Sequence, residues 1–146
     1  MLMSPPSTTD ILNRLLVLHE RSLPMYLSYA PPADFTSNDK AKAVLAQIVE
    51  DQRRTTDRLA TMVLDNGGTV DYGEFPMTFT SLHDLSLTYL LKLMIDRQVK
   101  MIAVCDNLAG QLNLAPFAQA AAREAVGEAK GHLDNLKELQ TALARA

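Results

Sequence analysis

The amino-acid sequence predicts an all-α protein: a four-helix bundle built as two antiparallel helical hairpins joined by one long crossover. Three observations lead there. Apolar residues recur at helical spacing in four separate stretches, each with a polar opposite face. The chain has six glycines and no tryptophan, and it is rich in Leu, Ala and Met, residues that suit helices. The gaps between the stretches hold helix caps, glycine stops and prolines. At 146 residues the chain makes one domain, residues 1–146, with room for a sizeable core.

The first helix is expected over residues 8–29. Ser7-Thr8-Thr9-Asp10 places Asp10 as a capping box would, and Pro31-Pro32 ends the element. Leu12, Leu15, His19, Leu23 and Tyr26 form its apolar side, opposite Asp10, Arg14, Arg21 and Ser28. Pro24 falls on the polar side and removes a hydrogen bond to the Glu20 carbonyl. A kink is expected there, with a break into two helices as the alternative.

The second helix is expected over residues 39–65, capped from Thr36-Ser37-Asn38-Asp39 and stopped by Asn66-Gly67-Gly68. Its stripe reads Leu45, Ile48, Gln52, Thr55, Leu59 and Met62. The third, over residues 81–108, opens on Ser81-Leu82-His83-Asp84 and carries Leu87, Leu91, Met94, Gln98, Met101, Cys105 and Leu108. The fourth, over residues 116–144, starts with Pro116 in its first turn. Its stripe is Ala118, Ala121, Ala125, His132, Leu136, Leu139 and Leu143.

Short links after the first and third helices make antiparallel hairpins of those pairs. Residues 67–80, with Thr69, Val70, Phe75 and Phe79, are irregular and longer. Such a segment stretches to roughly 46 Å, enough to return along helices of about 33 to 43 Å. The second and third helices are therefore expected to run parallel.

A formal charge of −3 gives no footing for nucleic acid or an anionic membrane. No stretch approaches the apolar length of a membrane span. Met1-Leu2-Met3-Ser4-Pro5-Pro6 lacks the basic and apolar regions of a secretory signal. The single cysteine, Cys105, sits on a core stripe and suits a reducing compartment. A cytoplasmic protein is expected.

Near the middle of each stripe the pattern turns polar: His19, then Gln52 and Thr55, then Gln98, then His132. These form an expected inner polar layer, and none is a carboxylate. Glu50 with Arg54, and Asp96 between Lys92 and Lys100, read as solvated surface pairs. Gly67-Gly68 reads as a helix stop and not a phosphate loop.

This arrangement resembles the ferritin-like superfamily. Gln52-Arg53-Arg54-Thr55 and Ala129-Lys130-Gly131-His132 are similar to its two Glu-x-x-His motifs, with His19 and Gln98 at the remaining inner positions. The resemblance implies a bundle that once held two metal ions. Here Gln52 and Ala129 replace the motif glutamates, and Thr55 replaces one histidine. Two ions would lack the anionic oxygens they need. The leading expectation is a non-catalytic binding or assembly role with no cofactor. The alternative is one zinc or iron ion on His19, His132 and either Glu128 or Glu20, with redox or hydrolytic activity retained. A ligand pocket beside Ala118, Ala121, Ala122, Ala125 and Ala129 is a third reading. Surplus apolar residues, Ile11, Leu18, Met25, Leu90, Leu93 and Val104, suggest a homodimer.

Overall fold

A computed structural model describes residues 7–82 and 84–145. The reading of the chain start, and His83 in the expected third capping box, lie outside the described residues. Those residues form an all-α structure with no strand among them.

Helix α1 (Thr8–Glu20) opens on the expected capping box: Asp10 N–H donates to Ser7 Oγ while Ser7 N–H donates to Asp10. The chain then breaks instead of kinking. Ser22 caps a new helix, α2 (Leu23–Tyr29), whose first turn holds Pro24. A proline there gives up an N–H that has no helical partner to lose. The restart also turns Pro24 into the core, where the single-helix expectation put it on the polar side. A four-residue helix, α3 (Ala33–Thr36), seats Phe35. Helix α4 (Asp39–Asp65) is capped by Asn38 Oδ1, which accepts from Ala41 N–H. After a 3-10 turn (Met77–Ser81) that buries Phe79, α5 (Leu87–Gly110) starts at the Ser86 cap and not at Ser81. Helix α6 (Pro116–Ala144) has the expected bounds.

Cross-helix contacts give the directions. Gly68 lies against Thr9 and Val63, and Ser22 Oγ donates to Gln52 Oε1, so α1 runs antiparallel to α4. Gln98 and Gln119 Nε2 donate to the Ala129 and Ala109 carbonyls, making α5 and α6 antiparallel. Arg58 with Glu124, and Asp51 with His132, make α4 and α6 antiparallel as well. Helices α4 and α5 therefore point the same way, and the segment between them must return.

It returns as a strap along α1. Asp71 exchanges two hydrogen bonds of 2.9 Å with the Asn13 side chain, and Arg21 Nε donates to the Tyr72 and Gly73 carbonyls. Phe75 and Phe79 then cluster with Tyr26. Gly73 has φ 67°, and a Cβ on it would meet Val17 Cγ1 at 2.9 Å, so the strap can lie this close to α1 only with glycine there.

The core falls into two clusters. One gathers Leu23, Phe35, Ile48, Phe79, Leu90 and Leu136; the other gathers Leu12, Leu16, Leu59, Cys105, Leu108 and Ala122. Between them in sequence, on every helix concerned, lie buried polar residues: His19, Ser22, Asp51, Gln52, Thr56, Gln98 and His132.

The grounds for the dimer and for the alanine-side pocket both narrow here. Ile11, Met25 and Leu90 are buried within the chain, so only Leu18, Leu93 and Val104 remain of the surplus on which the dimer was argued. Ala118 and Ala122 share a core cluster with Leu108 and Ala109 of α5, as close helix approach requires, and only a 180 Å³ cleft remains beside Ala121 and Ala125.

Glycine placement gives a paired prediction. Gly73→Ala is expected to lower unfolding free energy by about 1–3 kcal/mol, from a positive φ together with a clash. Gly131→Ala, mid-helix with open space at its Cβ, is expected to raise it by about 0.5–1 kcal/mol. Urea denaturation of the two variants checks both signs.

Candidate functional site

The antiparallel register between α1 and α4 brings polar side chains to one level. His19, Gln52, Gln98 and His132 are all buried, at 1–4% exposure, and so lie inside the chain as the sequence suggested. Thr55 is only half-buried, while its neighbour Thr56 is buried. Helix α4 packs against both α1 and α6, so its buried arc is wider than one stripe and takes in adjacent pairs.

That wider arc also buries Asp51, a carboxylate that the stripe left out. Its Oδ2 lies 2.8 Å from His132 Nε2. Its Oδ1 accepts from Gln47 Nε2 at 3.0 Å and pairs with Arg54. Arg54 is thus paired with Asp51, not with the Glu50 that spacing suggested. Glu128, half-buried one turn before His132, accepts from Thr55 Oγ1 at 3.2 Å. Among the described residues, Asp51, Glu128 and His132 form a group whose candidate donor atoms all lie within 4.8 Å of one another.

His19 and Glu20 stand outside this group. His19 turns Nδ1 towards the Leu15 carbonyl at 2.7 Å, and Glu20 is the half-buried last residue of α1. Of the four ligands expected from sequence, Glu128 and His132 come together. Asp51 adds a buried carboxylate to a layer whose five sequence-predicted members include none. A sequence cue was present: Ile48-Val49 already shows two adjacent apolar positions, the mark of a face broader than one residue per turn.

Electrostatics follow from these contacts. Burial pushes the Asp51 carboxyl upward, but hydrogen bonds from His132 and Gln47 and the nearby His132 and Arg54 charges outweigh it and hold the group below its ordinary value. Asp51 is therefore an anion at neutral pH, and His132 Nε2–H donates to it. For His19, burial is the largest influence and lowers the pKa; the Leu15 carbonyl opposes this and His132 adds to it. His19 is neutral, with Nδ1–H donating to Leu15 and a lone pair left on Nε2. Burial pushes the Cys105 thiol up to about 11, so it carries no thiolate reactivity. Gln52 Nε2 and Thr56 Oγ1 are buried without a partner among the described residues. Each such group costs about 1–3 kcal/mol relative to a satisfied one.

Comparison with known proteins gives no match: no family model, no curated protein and no solved structure is similar to the chain. No helix among the described residues is long and apolar enough to cross a membrane.

The lowered pKa of His19 fixes a pH dependence. In the unfolded chain His19 gains its proton as pH falls through 6.5, while the folded chain resists it. The stability associated with neutral His19 is present above that pH and is lost on acidification, by up to about 1.4 kcal/mol per pH unit. Urea titrations between about pH 7 and 5 should show a steeper loss in the natural chain than in His19→Gln. Equal slopes would remove His19 as the cause.

Proposed function

We propose that the protein is a ferritin-like four-helix bundle, with α1–α2, α4, α5 and α6 as its limbs, that binds one divalent transition-metal ion at Asp51, Glu128 and His132. The antiparallel pairs α1/α4 and α5/α6, and the strap returning between α4 and α5, support the ferritin-like part. The convergence of three donors from α4 and α6 within 4.8 Å carries the metal part.

A pair of ions does not fit these residues. The layer offers two carboxylates and one nearby imidazole, with His19 and Gln98 at positions where the resemblance would need glutamates. A single ion does fit. Two carboxylates and an imidazole suit zinc or iron, and three protein ligands with an open fourth position are a familiar zinc arrangement. Asp51 and Glu128 together neutralise a divalent ion, and Arg54 and Thr55 each already hold one oxygen of these carboxylates and orient them. Binding at His132 Nε2 requires that nitrogen to give up its present hydrogen bond to Asp51. The role we assign is binding, not turnover.

A second reading is favoured by Asp51 having both oxygens engaged: the same residues act as a metal-free cross-link between α4 and α6. One experiment separates the two. Metal-stripped protein is titrated with zinc against a chromophoric chelator. The metal reading expects one zinc per chain and a loss of at least about tenfold in affinity in His132→Ala and in Asp51→Asn. Circular dichroism confirms that the variants remain helical. No uptake by the natural chain, or equal uptake by His132→Ala, leaves the cross-link alone.

A further inference from the structure

A second place in the molecule has the features of a binding site and is independent of the metal reading. Between α1, α2, the strap and α5 lies a cleft of about 310 Å³. It follows from the chain break at Arg21–Ser22 and from the light contact between α1 and α5, which leaves their seam open. Leu18, Leu23, Met94 and Met101 line it, giving apolar walls, with Ser22 and Gln98 also among its residues.

Its charged residues are unequal in sign. Arg21, Arg97 and Lys100 line the cleft against one carboxylate, the exposed Glu74. Among the described residues no carboxylate pairs with any of the three cations. Two of them are held in place. The Arg21 guanidinium sits 4.7 Å from the Phe75 ring centre and donates to the strap's carbonyls, while Arg97 sits 4.6 Å from that of Phe79. Arg97 is exposed on one side, and its partial burial lowers its pKa from the ordinary value. A fixed guanidinium next to apolar walls suits a carboxylate that carries a hydrocarbon body.

We propose that this cleft binds a small amphipathic monocarboxylate, its apolar body between Leu18, Leu23, Met94 and Met101 and its carboxylate at Arg97 and Lys100. Size sets the class. At about 30 Å³ for each water-sized group, the cleft holds about ten heavy atoms, the scale of a medium-chain fatty acid or a substituted aromatic acid. A bulkier anion would extend beyond the cleft's walls, and a cation meets an excess of positive charge.

The full chain is titrated calorimetrically with decanoate, and separately with decanol and decyltrimethylammonium. One decanoate per chain is expected, with decanol weaker by about tenfold, the weight of one charge-assisted contact, and no binding of the ammonium. Arg97→Met/Lys100→Met, at two exposed positions, should weaken decanoate by at least that factor while leaving zinc uptake as in the natural chain. Leu18→Trp, which fills the cleft from its half-buried wall, should abolish decanoate binding with helicity retained. The proposal is overturned if decanoate fails to bind, if decanol binds as well, or if either variant binds decanoate like the natural chain. Light scattering that shows a dimer, together with no decanoate binding, would assign the cleft to a second copy of the chain.

Discussion

The hydrogen bond between Asp51 and His132 is the interaction on which the rest of the structure depends. It joins α4 to α6 through a level of the molecule where apolar packing is interrupted. Apolar side chains attract without direction, so leucine and alanine faces alone would let two long helices slide by a turn. A carboxylate and an imidazole at 2.8 Å allow one register only. Removing Asp51 leaves the buried His132 Nε2–H without its acceptor, and removing His132 leaves Asp51 Oδ2 unpaired, which costs more than the pair itself contributes. We regard its role as specification of register first and stability second.

Once that register is set, the other polar contacts follow from geometry. Thr55 meets Glu128 and Arg58 meets Glu124 at successive turns of the same seam. On the far side of α4, Gln52 takes the Ser22 hydroxyl, so the residue that caps α2 also ties it to the layer. The apolar core is thereby divided, with Phe35 and Phe79 in one part and Cys105 and Leu108 in the other. The strap bridges both parts along α1, from Gly68 at Thr9 to Phe75 at Arg21 and Tyr26.

Much of this was legible in the residues. The bounds of α4 and α6 were set by Asn38, Gly67 and Pro116, local signals that tertiary packing had no reason to override. The crossover followed from chain length alone. What failed did so for identifiable reasons. Two serines, Ser81 and Ser86, offered caps for α5, and the burial of Phe79 in a 3-10 turn decided for the second. The break before Pro24 depended on Ser22 serving as a cap, which a periodic stripe ignores. His132 and Glu128 were visible because they sit one turn apart on one helix. Asp51 was missed because a stripe of one residue per turn leaves it out, although the adjacent Ile48 and Val49 already marked the broader buried face that α6 creates on α4. The cleft at Arg97 was invisible because its walls come from three separated stretches of chain, in residues 17–24, 74–76 and 94–104.

The polar layer and the cleft adjoin at Ser22 and Gln98, yet they use different chemistry, anionic donors in one and guanidinium in the other. A double-mutant cycle of Asp51→Asn and His132→Gln, read by urea unfolding of metal-free protein, tests the central claim most directly. Our account predicts a coupling of about 1–3 kcal/mol, the range for residues that share one buried contact. Additive effects, with a coupling near zero, would contradict it.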